Sequence, residues 1–246
     1  MNPLISFIIP VLNLDRPKNP KRFFMPKASI SDVLDDIDEN VSCDYEIIIV
    51  CNGQNETLTK FICGDSRVTR YCLNSDNVGV ARAWNMGAQL ASGEVLCYLN
   101  DDIKIKKNSI EGLVTQLLSS ETIGQVGPEG SFWEDCKHKS FSEGTGWQNC
   151  DVISGFCFLL RSSTFHEIGG FDINYSPAGY EEIDLSYRIR ELGLTICSNS
   201  SIQIKHFKDH GVSARKMDIS YLGQTIDTVS LSERNYQYFK SKWSKN

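Results

Sequence analysis

Asn77-Val-Gly-Val-Ala-Arg-Ala-Trp-Asn-Met-Gly-Ala-Gln-Leu-Ala-Ser-Gly-Glu-Val-Leu-Cys-Tyr-Leu-Asn-Asp-Asp-Ile103 is the stretch that decides the fold. It reads as loop, helix, tight turn, buried strand and then an abrupt acidic pair. Val80, Ala83, Trp84, Gly87, Ala88 and Ala91 fall on one helical face. Ser92-Gly93 ends that helix, and Gly93 suits a left-handed C-terminal cap. Val95 to Leu99 is a short apolar run, the signature of a strand buried in a parallel sheet. Asn100, Asp101 and Asp102 follow at once. In open α/β sheets ligands sit outside the carboxyl ends of the strands. Two carboxylates there are costly unless something positive pairs with them, and a hard divalent cation meets that need. An isolated Asp-Asp pair reads more simply as a helix cap or a solvated turn. Its place at a strand end, behind a Gly-rich helix, reverses that preference.

Upstream, Leu4 to Val11 forms a first buried strand. A loop rich in proline and base follows, with Arg16, Lys18, Lys21, Arg22 and Lys27. Such a loop is ordinarily just solvated, and its cations also suit a phosphate-bearing ligand. Ser29-Ile-Ser-Asp starts a helix capped by Ser29 or Ser31, with Ile30, Val33, Leu34 and Ile37 on its apolar face. Tyr45 to Val50 is a β-branched second strand, Thr57 to Ile62 a helix and Arg67 to Leu73 a third strand. Strand and helix alternate over a hundred residues, which implies a doubly wound, mostly parallel sheet.

Downstream the pattern loosens. Ser109 to Leu118 is a helix and Ile123 to Gly127 a strand, and the polar segment Phe132 to Asn149 reads as a long loop. Val152 to Arg161 reads as one strand and Thr164 to Ile168 as a short helix. Gly179 to Gly193 carries Glu181, Glu182 and Asp184 in the first turn of a helix. Ile196 to Ile204 includes one more strand, and Leu231 to Trp243 is a terminal helix. The 246 residues are 41% hydrophobic, which suits one large continuous domain, read in two halves, 1–103 and 104–246. A net charge of −6 and a pI near 5.3 argue against nucleic acid as a partner. Nine cysteines, an odd number without any Cys-x-x-Cys pair, favour a reducing cytosol.

Several motifs agree in order. They are Ile8-Ile-Pro-Val11 with Asn13; Glu46 to Val50 with Asn52-Gly53; Asn77-x-Gly79 with Asn85-x-Gly87; Ser92-Gly-Glu94; and Leu99-Asn-Asp-Asp102. After them come Gly169-Gly-Phe-Asp172, Glu181-Glu-Ile-Asp184 with Arg188 and Gly193, and His206 followed by Gly211 and Ser213. Together they resemble the family-2 inverting glycosyltransferases of GT-A fold, most closely the bacterial rhamnosyltransferase-type enzymes. The resemblance implies an α/β, Rossmann-like, mostly parallel central sheet flanked by helices, with a small C-terminal acceptor-binding region.

It also implies roles. Asn100-x-Asp102 stands where the family has Asp-x-Asp, so Asp102 would ligate a divalent metal, Mn2+ or Mg2+. Asn100 would accept from the donor ribose, with Asp101 assisting. His206 matches a histidine that completes the metal site in some relatives, and His210 is the lesser candidate. A satisfied structural histidine is an equal reading of His206. Glu182 matches the catalytic base, with Glu in place of Asp. A plain helix-terminal acid is the competing reading, and Asp184 is assigned to structure. Pro10, Asn13, Cys51, Asn52 and Arg82 fall where the family binds the nucleotide, with Asn52 a candidate to accept from a ring nitrogen of the base. Trp133, Trp147, Ser154 and Gly155 fall in the acceptor region, the tryptophans as candidates to stack on a sugar.

The implied activity is metal-dependent transfer of a sugar from a nucleoside-diphosphate sugar to an acceptor hydroxyl with inversion, in bacterial surface polysaccharide assembly. The acceptor would be a glycan or lipid-linked glycan, and the location the cytoplasm with peripheral contact at the inner membrane face. One rival keeps the fold and makes the chain a nucleotidyltransferase, but Pro10-Val-Leu-Asn13 lacks the Gly-rich, basic signature of that class. The other is a non-catalytic nucleotide- or carbohydrate-binding protein derived from such an enzyme. Cys51, Asn100 and Glu182 keep it open.

Overall fold

The computed structural model describes residues 4–15, 29–207 and 217–244. The basic loop from Arg16 to Lys27, and with it His210, Gly211 and Ser213, lies outside the described residues. The first part of the chain alternates: β1 (Ile5–Val11), α1 (Ile30–Asn40), β2 (Tyr45–Asn52), α2 (Glu56–Gly64), β3 (Arg70–Asn74), α3 (Val80–Leu90) and β4 (Val95–Leu99). Then come β5 (Ile103–Ile105), α4 (Ser109–Leu118), β6 (Ile123–Gly127), β7 (Gly130–Glu134), β8 (Lys137–Phe141), β9 (Gln148–Cys150), β10 (Val152–Ile153) and β11 (Cys157–Arg161). The chain continues through α5 (Ser162–Glu167), α6 (Glu181–Glu191), β12 (Thr195–Ser198), β13 (Ile204–His206), the hairpin β14 (Asp218–Tyr221) with β15 (Gln224–Asp227), and α7 (Thr228–Trp243).

Eight strands form one sheet in the order β3-β2-β1-β4-β11-β6-β12-β9, so both proposed halves contribute to a single sheet. β1, β2, β3 and β4 are parallel, β11 is antiparallel to both β4 and β6, and β12 is parallel to β6. The carboxyl ends of β1, β2, β4 and β6 therefore share one edge with the start of β11. The strand order reverses between β1 and β4, where a crevice opens in such sheets.

Side-chain alternation along the strands builds a core on each face. Ile5, Phe7, Ile9 and Val11 pack with Ile47, Ile49 and the buried faces of α1, α2 and α4. Ile8, Ile48, Leu96, Tyr98, Phe158 and Leu160 pack with Trp84, Phe165 and Leu185 from α3, α5 and α6. A third cluster joins Tyr175, Tyr180, Tyr187, Phe239 and Trp243 and seats α7 against the site end of α6.

Local chemistry explains the elements. Ser29 caps α1 by accepting the Ser31 N–H at 3.2 Å. A Cβ on Gly87 would lie 2.3 Å from Ile8 Cγ2, so the bare backbone lets α3 sit down on β1. Gly93 is not the left-handed cap the sequence suggests. α3 ends at Leu90, with Ala91 extended. Gly93 is there because a side chain would strike the Leu4 carbonyl and Ser6 Oγ at 2.6 Å. Its N–H donates to Ser6 Oγ at 2.9 Å.

Three further expectations are corrected. Residues 132–149 are not a loop: β7 and β8 form a hairpin that pairs with β10, and β9 joins the edge of the main sheet beside β12. The apolar run from Val152 to Arg161 is two strands separated by Ser154-Gly155-Phe156. Ile196 to Ile204 is likewise divided, its first part in β12 and its end in β13. None of the described helices is long and apolar enough to cross a membrane, and the nine cysteines are free thiols.

Candidate active site

β4 ends at Leu99, and the Asn100 N–H donates to the Phe156 carbonyl at 2.9 Å. The chain turns through Asp101 and Asp102, which are 3% and 1% exposed, and enters β5. β5 pairs antiparallel with β13, so that Ile103 stands opposite His206. The Phe207 N–H donates to the Asp102 carbonyl at 3.0 Å. This short ribbon brings together residues about a hundred positions apart. His206 Nε2 lies 3.2 Å from Asp102 Oδ1 and 3.4 Å from Asn100 Nδ2. The His206 ring stacks on Phe156 with centroids 4.7 Å apart and planes 13° from parallel. The ribbon is braced from α1: buried Asp36 accepts the Ile105 N–H at 2.8 Å and pairs with Lys104.

A carboxylate and an imidazole at this separation are a donor pair that suits a divalent transition ion such as Mn2+. Among the described residues no group of three or more His, Cys, Asp or Glu side chains is gathered for a metal.

Glu181 and Glu182 begin α6, after Tyr180 in the left-handed region at φ 77°. Glu181 is 4% exposed, and its Oε2 has no hydrogen-bond partner among the described residues. Burial pushes its carboxyl well above the usual range, and the neighbouring Glu182 charge adds to that. Burial raises the Glu182 carboxyl as well, against the lowering effect of backbone N–H groups at the helix start. A carboxyl raised in this direction is a stronger base than an exposed one, which suits proton abstraction.

Ser154, Gly155 and Phe156 connect these parts. The Ser154 N–H donates to the Glu129 carbonyl at 2.9 Å, and Ser154 Oγ donates to Glu129 Oε1 at 2.8 Å. A Cβ on Gly155 would lie 3.1, 3.3 and 3.4 Å from Glu182 Cγ, Cδ and Cβ. Phe156 holds Asn100 through its carbonyl and His206 through its ring. Three consecutive residues thus touch Glu129, Glu182 and the Asp102–His206 pair in turn.

Asp184 is structural, as the sequence suggests. Wholly buried, it receives Arg188 Nε at 2.7 Å, Trp243 Nε1 at 2.9 Å and Tyr175 OH at 3.2 Å, and pairs with Lys242 at 2.9 Å. Arg188 donates onward to the carbonyls of Ile168 and Gly170 at 2.8 and 2.6 Å. Asn85 clamps the same turn, with Nδ2 donating to the Phe171 carbonyl at 2.9 Å and Oδ1 accepting the Phe171 N–H at 2.8 Å. Asn235 of α7 is fully buried and donates to the carbonyls of Tyr175, Ala178 and Gly179, fixing the chain that leads into α6.

The candidate nucleotide residues lie along the edge over β1 and β2. Pro10 is half-buried near the end of β1, and exposed Asn13 accepts from Asn55 Nδ2 at 3.2 Å. Two readings change. Cys51 is 1% exposed within the core, its thiol 3.5 Å from the Gly53 carbonyl, so its side chain is packing. Asn52 is 7% exposed, and its Oδ1 accepts the Val78 N–H at 2.9 Å, so the amide oxygen fixes the following loop. Arg82 Nε donates to Tyr221 OH at 3.3 Å, and Asn77 Nδ2 to the Ser220 carbonyl at 2.8 Å. The β14–β15 hairpin thus lies over the start of α3, which the sequence did not reveal.

Both tryptophans are half-buried and have partners within the protein. Trp133 packs on Phe239 and donates to Ser131 Oγ at 2.9 Å, and Trp147 packs on the main core. Phe156 and Glu129 escaped the sequence reading. The first hides in an apolar run, and the second follows a proline without any periodic signal.

Residues 6–169 match the sequence profile of "Glycosyl transferase family 2". Among curated proteins, the O-antigen biosynthesis protein RfbC of Myxococcus xanthus is 27% identical over 160 residues, 54% of this chain and 12% of that protein. The glucosyl-dolichyl phosphate glucuronosyltransferase of Haloferax volcanii is 24% identical over 186 residues, 65% of this chain and 58% of that protein. The chain therefore spans only part of either relative. Among solved structures, GalNAc-T7 with UDP, GalNAc and Mn2+ superposes with a TM-score of 0.70 at 17% identity, over 98% of this chain and 48% of that one. The mannosyltransferase PcManGT of Pyrobaculum calidifontis with GDP-Man and Mn2+ gives 0.60 at 16% identity, over 82% of this chain and 56% of that one. The fold is GT-A.

Proposed function

We propose, for a chain that belongs to glycosyl transferase family 2, that it moves a sugar from a nucleoside-diphosphate sugar to an acceptor hydroxyl with inversion, and that it needs a divalent metal. The observation that carries this reading is the run Ser154-Gly155-Phe156. It joins the buried Asp102 carboxylate and the half-buried His206 imidazole at a strand end to the half-buried Glu182 at a helix start.

The donor would lie along the edge over β1 and β2, with Pro10, Asn13 and Arg82 beside it and its diphosphate toward Asp102. Asp102 and His206 would hold Mn2+ or Mg2+, with Asn100 and Asp101 adjoining. When bound, the cation supplies positive charge where the leaving diphosphate gathers negative charge. Glu182 takes the proton from the acceptor hydroxyl. Its partial burial raises its basicity. Gly155 leaves the room in which the Glu182 side chain sits, and Phe156 fixes the ring plane of His206. A single base acting on the face opposite the diphosphate gives inversion. The assignment includes a glycan or lipid-linked glycan acceptor in surface polysaccharide assembly on the cytoplasmic side of a membrane. The names of the Myxococcus xanthus and Haloferax volcanii relatives, an O-antigen biosynthesis protein and a glucosyl-dolichyl phosphate glucuronosyltransferase, support the polysaccharide and lipid-linked acceptor parts of that reading.

The test is turnover of UDP-, dTDP-, GDP- and CMP-linked sugars with Mn2+, Mg2+ or chelator. Cleavage of one donor class that chelator abolishes is the expected result. Metal-dependent nucleotide binding without turnover in the presence of glycan acceptors would identify a binding protein instead.

A further inference from the structure

Three elements meet at the hydroxyl of Ser186. Ser186 on α6 and Gln125 on β6 are both fully buried. Ser186 Oγ is 2.8 Å from Gln125 Oε1 and 3.0 Å from the Glu182 carbonyl, one helical turn back. It also accepts the Ile153 N–H at 3.4 Å, from the end of β10. Gln125 Nε2 has no partner among the described residues. A hydroxyl has one proton, and two oxygens face it here, so one of them is short of a donor. A half-turn of the Gln125 amide removes the conflict. Nε2 then donates to Ser186 Oγ, and the hydroxyl proton goes to the Glu182 carbonyl. We infer that Gln125 and Ser186 are positioning residues for the base. The buried amide sets the hydroxyl, and the hydroxyl fixes, from one point, the backbone that carries Glu182 and the backbone that leads to its neighbour Gly155. This rests on the transferase reading above, with Glu182 as base.

Packing passes the effect on to the carboxylate. Ser154 and Gly155 follow Ile153 directly, and a Cβ on Gly155 would meet Glu182 Cγ at 3.1 Å, so little slack separates the two. Ile153 is itself set closely against β6, where a Cβ on Gly127 would lie 2.2 Å from its Cγ2. Interiors this dense transmit a displacement rather than absorb it. A serine bonded to the carbonyl four residues back also bends its helix slightly. Here that bond falls in the first turn of α6, so it sets the direction in which Glu182 leaves the helix. The strand partners of Gln125, Leu160 and Ile196, are apolar, and so are Leu185 and Ile189 on α6. A polar pair in that layer gives up its hydration for little net stability, and what it adds is placement.

The experiment uses the full chain with Mn2+ and whichever UDP-, dTDP-, GDP- or CMP-linked sugar wild type cleaves, with water or an octyl hexoside as acceptor. Affinity for the matching nucleotide is measured alongside by calorimetry. Ser186→Ala removes the hydroxyl, and Gln125→Met keeps the length of the side chain without its amide. Each is expected to lower kcat about tenfold, with nucleotide affinity and donor KM within about twofold of wild type. Ser186→Cys keeps the shape with a weaker donor, should fall between wild type and Ser186→Ala, and stands in for the alanine variant if that one does not fold. The Ser186→Ala, Gln125→Met double variant should lose little more than either single one, since both act through the same hydroxyl. In a Glu182→Gln background, Ser186→Ala should cost nothing further. Folded variants with kcat within twofold of wild type, a loss that persists without the Glu182 carboxylate, or nucleotide affinity that falls as far as kcat would overturn the inference, and the transferase reading would survive on wild-type turnover. A Glu182→Gln protein with near wild-type turnover overturns the base assignment and this inference with it. A wild type that cleaves no donor overturns the whole reading.

Discussion

Gly155→Ala tests the geometry with a single methyl group. The Gly155 backbone lies outside the left-handed region, so alanine is allowed there, and the effect comes through contact alone. The new Cβ would lie 3.1 Å from Glu182 Cγ and 3.3 Å from Cδ, about 0.4 Å inside the ~3.5 Å lower limit of comfortable carbon–carbon contact. The neighbour that must give way is the side chain assigned as base, so the carboxylate moves by roughly half an ångström. A misplacement of about 1 Å at a reacting group costs on the order of 10²-fold. The expected loss in kcat is therefore about tenfold, or ~1.4 kcal/mol of transition-state stabilisation. Stability should fall by no more than about 1 kcal/mol, because a half-buried glutamate side chain can shift. The assay is steady-state transfer at saturating donor, with thermal unfolding in parallel and the same substitution repeated in a Glu182→Ala background. There the penalty should vanish, since the group that alanine displaces is gone. A folded Gly155→Ala enzyme with kcat within twofold of wild type would refute the reasoning. So would a tenfold penalty that persists without the Glu182 side chain.

Glu182→Gln should lower kcat by about 10²- to 10⁴-fold in a folded protein. Because burial raises the Glu182 carboxyl, the base is lost as pH falls through a value above the ordinary ~4.3 of glutamate, and kcat/KM should show an acid limb there that the Gln variant lacks. Asp184→Asn leaves Arg188 and Lys242 without their buried counter-charge and should destabilise by about 3–5 kcal/mol in chemical denaturation. Glu46 is desolvated, yet the Ser6 hydroxyl, the Ser92 N–H and the Arg70 guanidinium outweigh burial and hold its carboxyl below the usual range. A lowered pKa gives stability that is present above the unfolded-state value and lost as pH falls through the folded-state value. The stability gap between wild type and Glu46→Gln should therefore be about 1–3 kcal/mol near neutral pH. It should close below about pH 4.

What the sequence revealed follows from where its signals are local. β1, β2 and β4 are continuous apolar runs because both of their faces are covered. Asn100–Asp102 stands out because charge breaks such a run abruptly, and Glu181–Glu182 because acids open a helix. His206 was placed by the resemblance. Its cross-strand pairing with Ile103, which brings it to Asp102, has no local trace. β8 was missed because all five of its residues are exposed, so no alternation marks it. The break at Ser154–Phe156 was hidden because Phe156 and the strands around it are all apolar, and only the third dimension shows why the chain must pause there. Gly93 and Gly155 are glycines for the space they leave, not for a dihedral angle, and that space belongs to Leu4, Ser6 and Glu182 far along the chain. Asn235 carries no local signal within the terminal helix, because its three carbonyl partners lie 56 to 60 residues away.

The most direct test of the central claim is the anomeric configuration of the sugar as it first leaves the donor. Wild-type protein with Mn2+ and its preferred nucleotide sugar is followed by proton NMR of the anomeric signal, before mutarotation sets in. One base at Glu182 acting opposite the diphosphate predicts that an α-linked donor yields the β product first, and a β-linked donor the α product. Retention of the donor's configuration would contradict the account, because it requires a second displacement that this site is not assigned to perform.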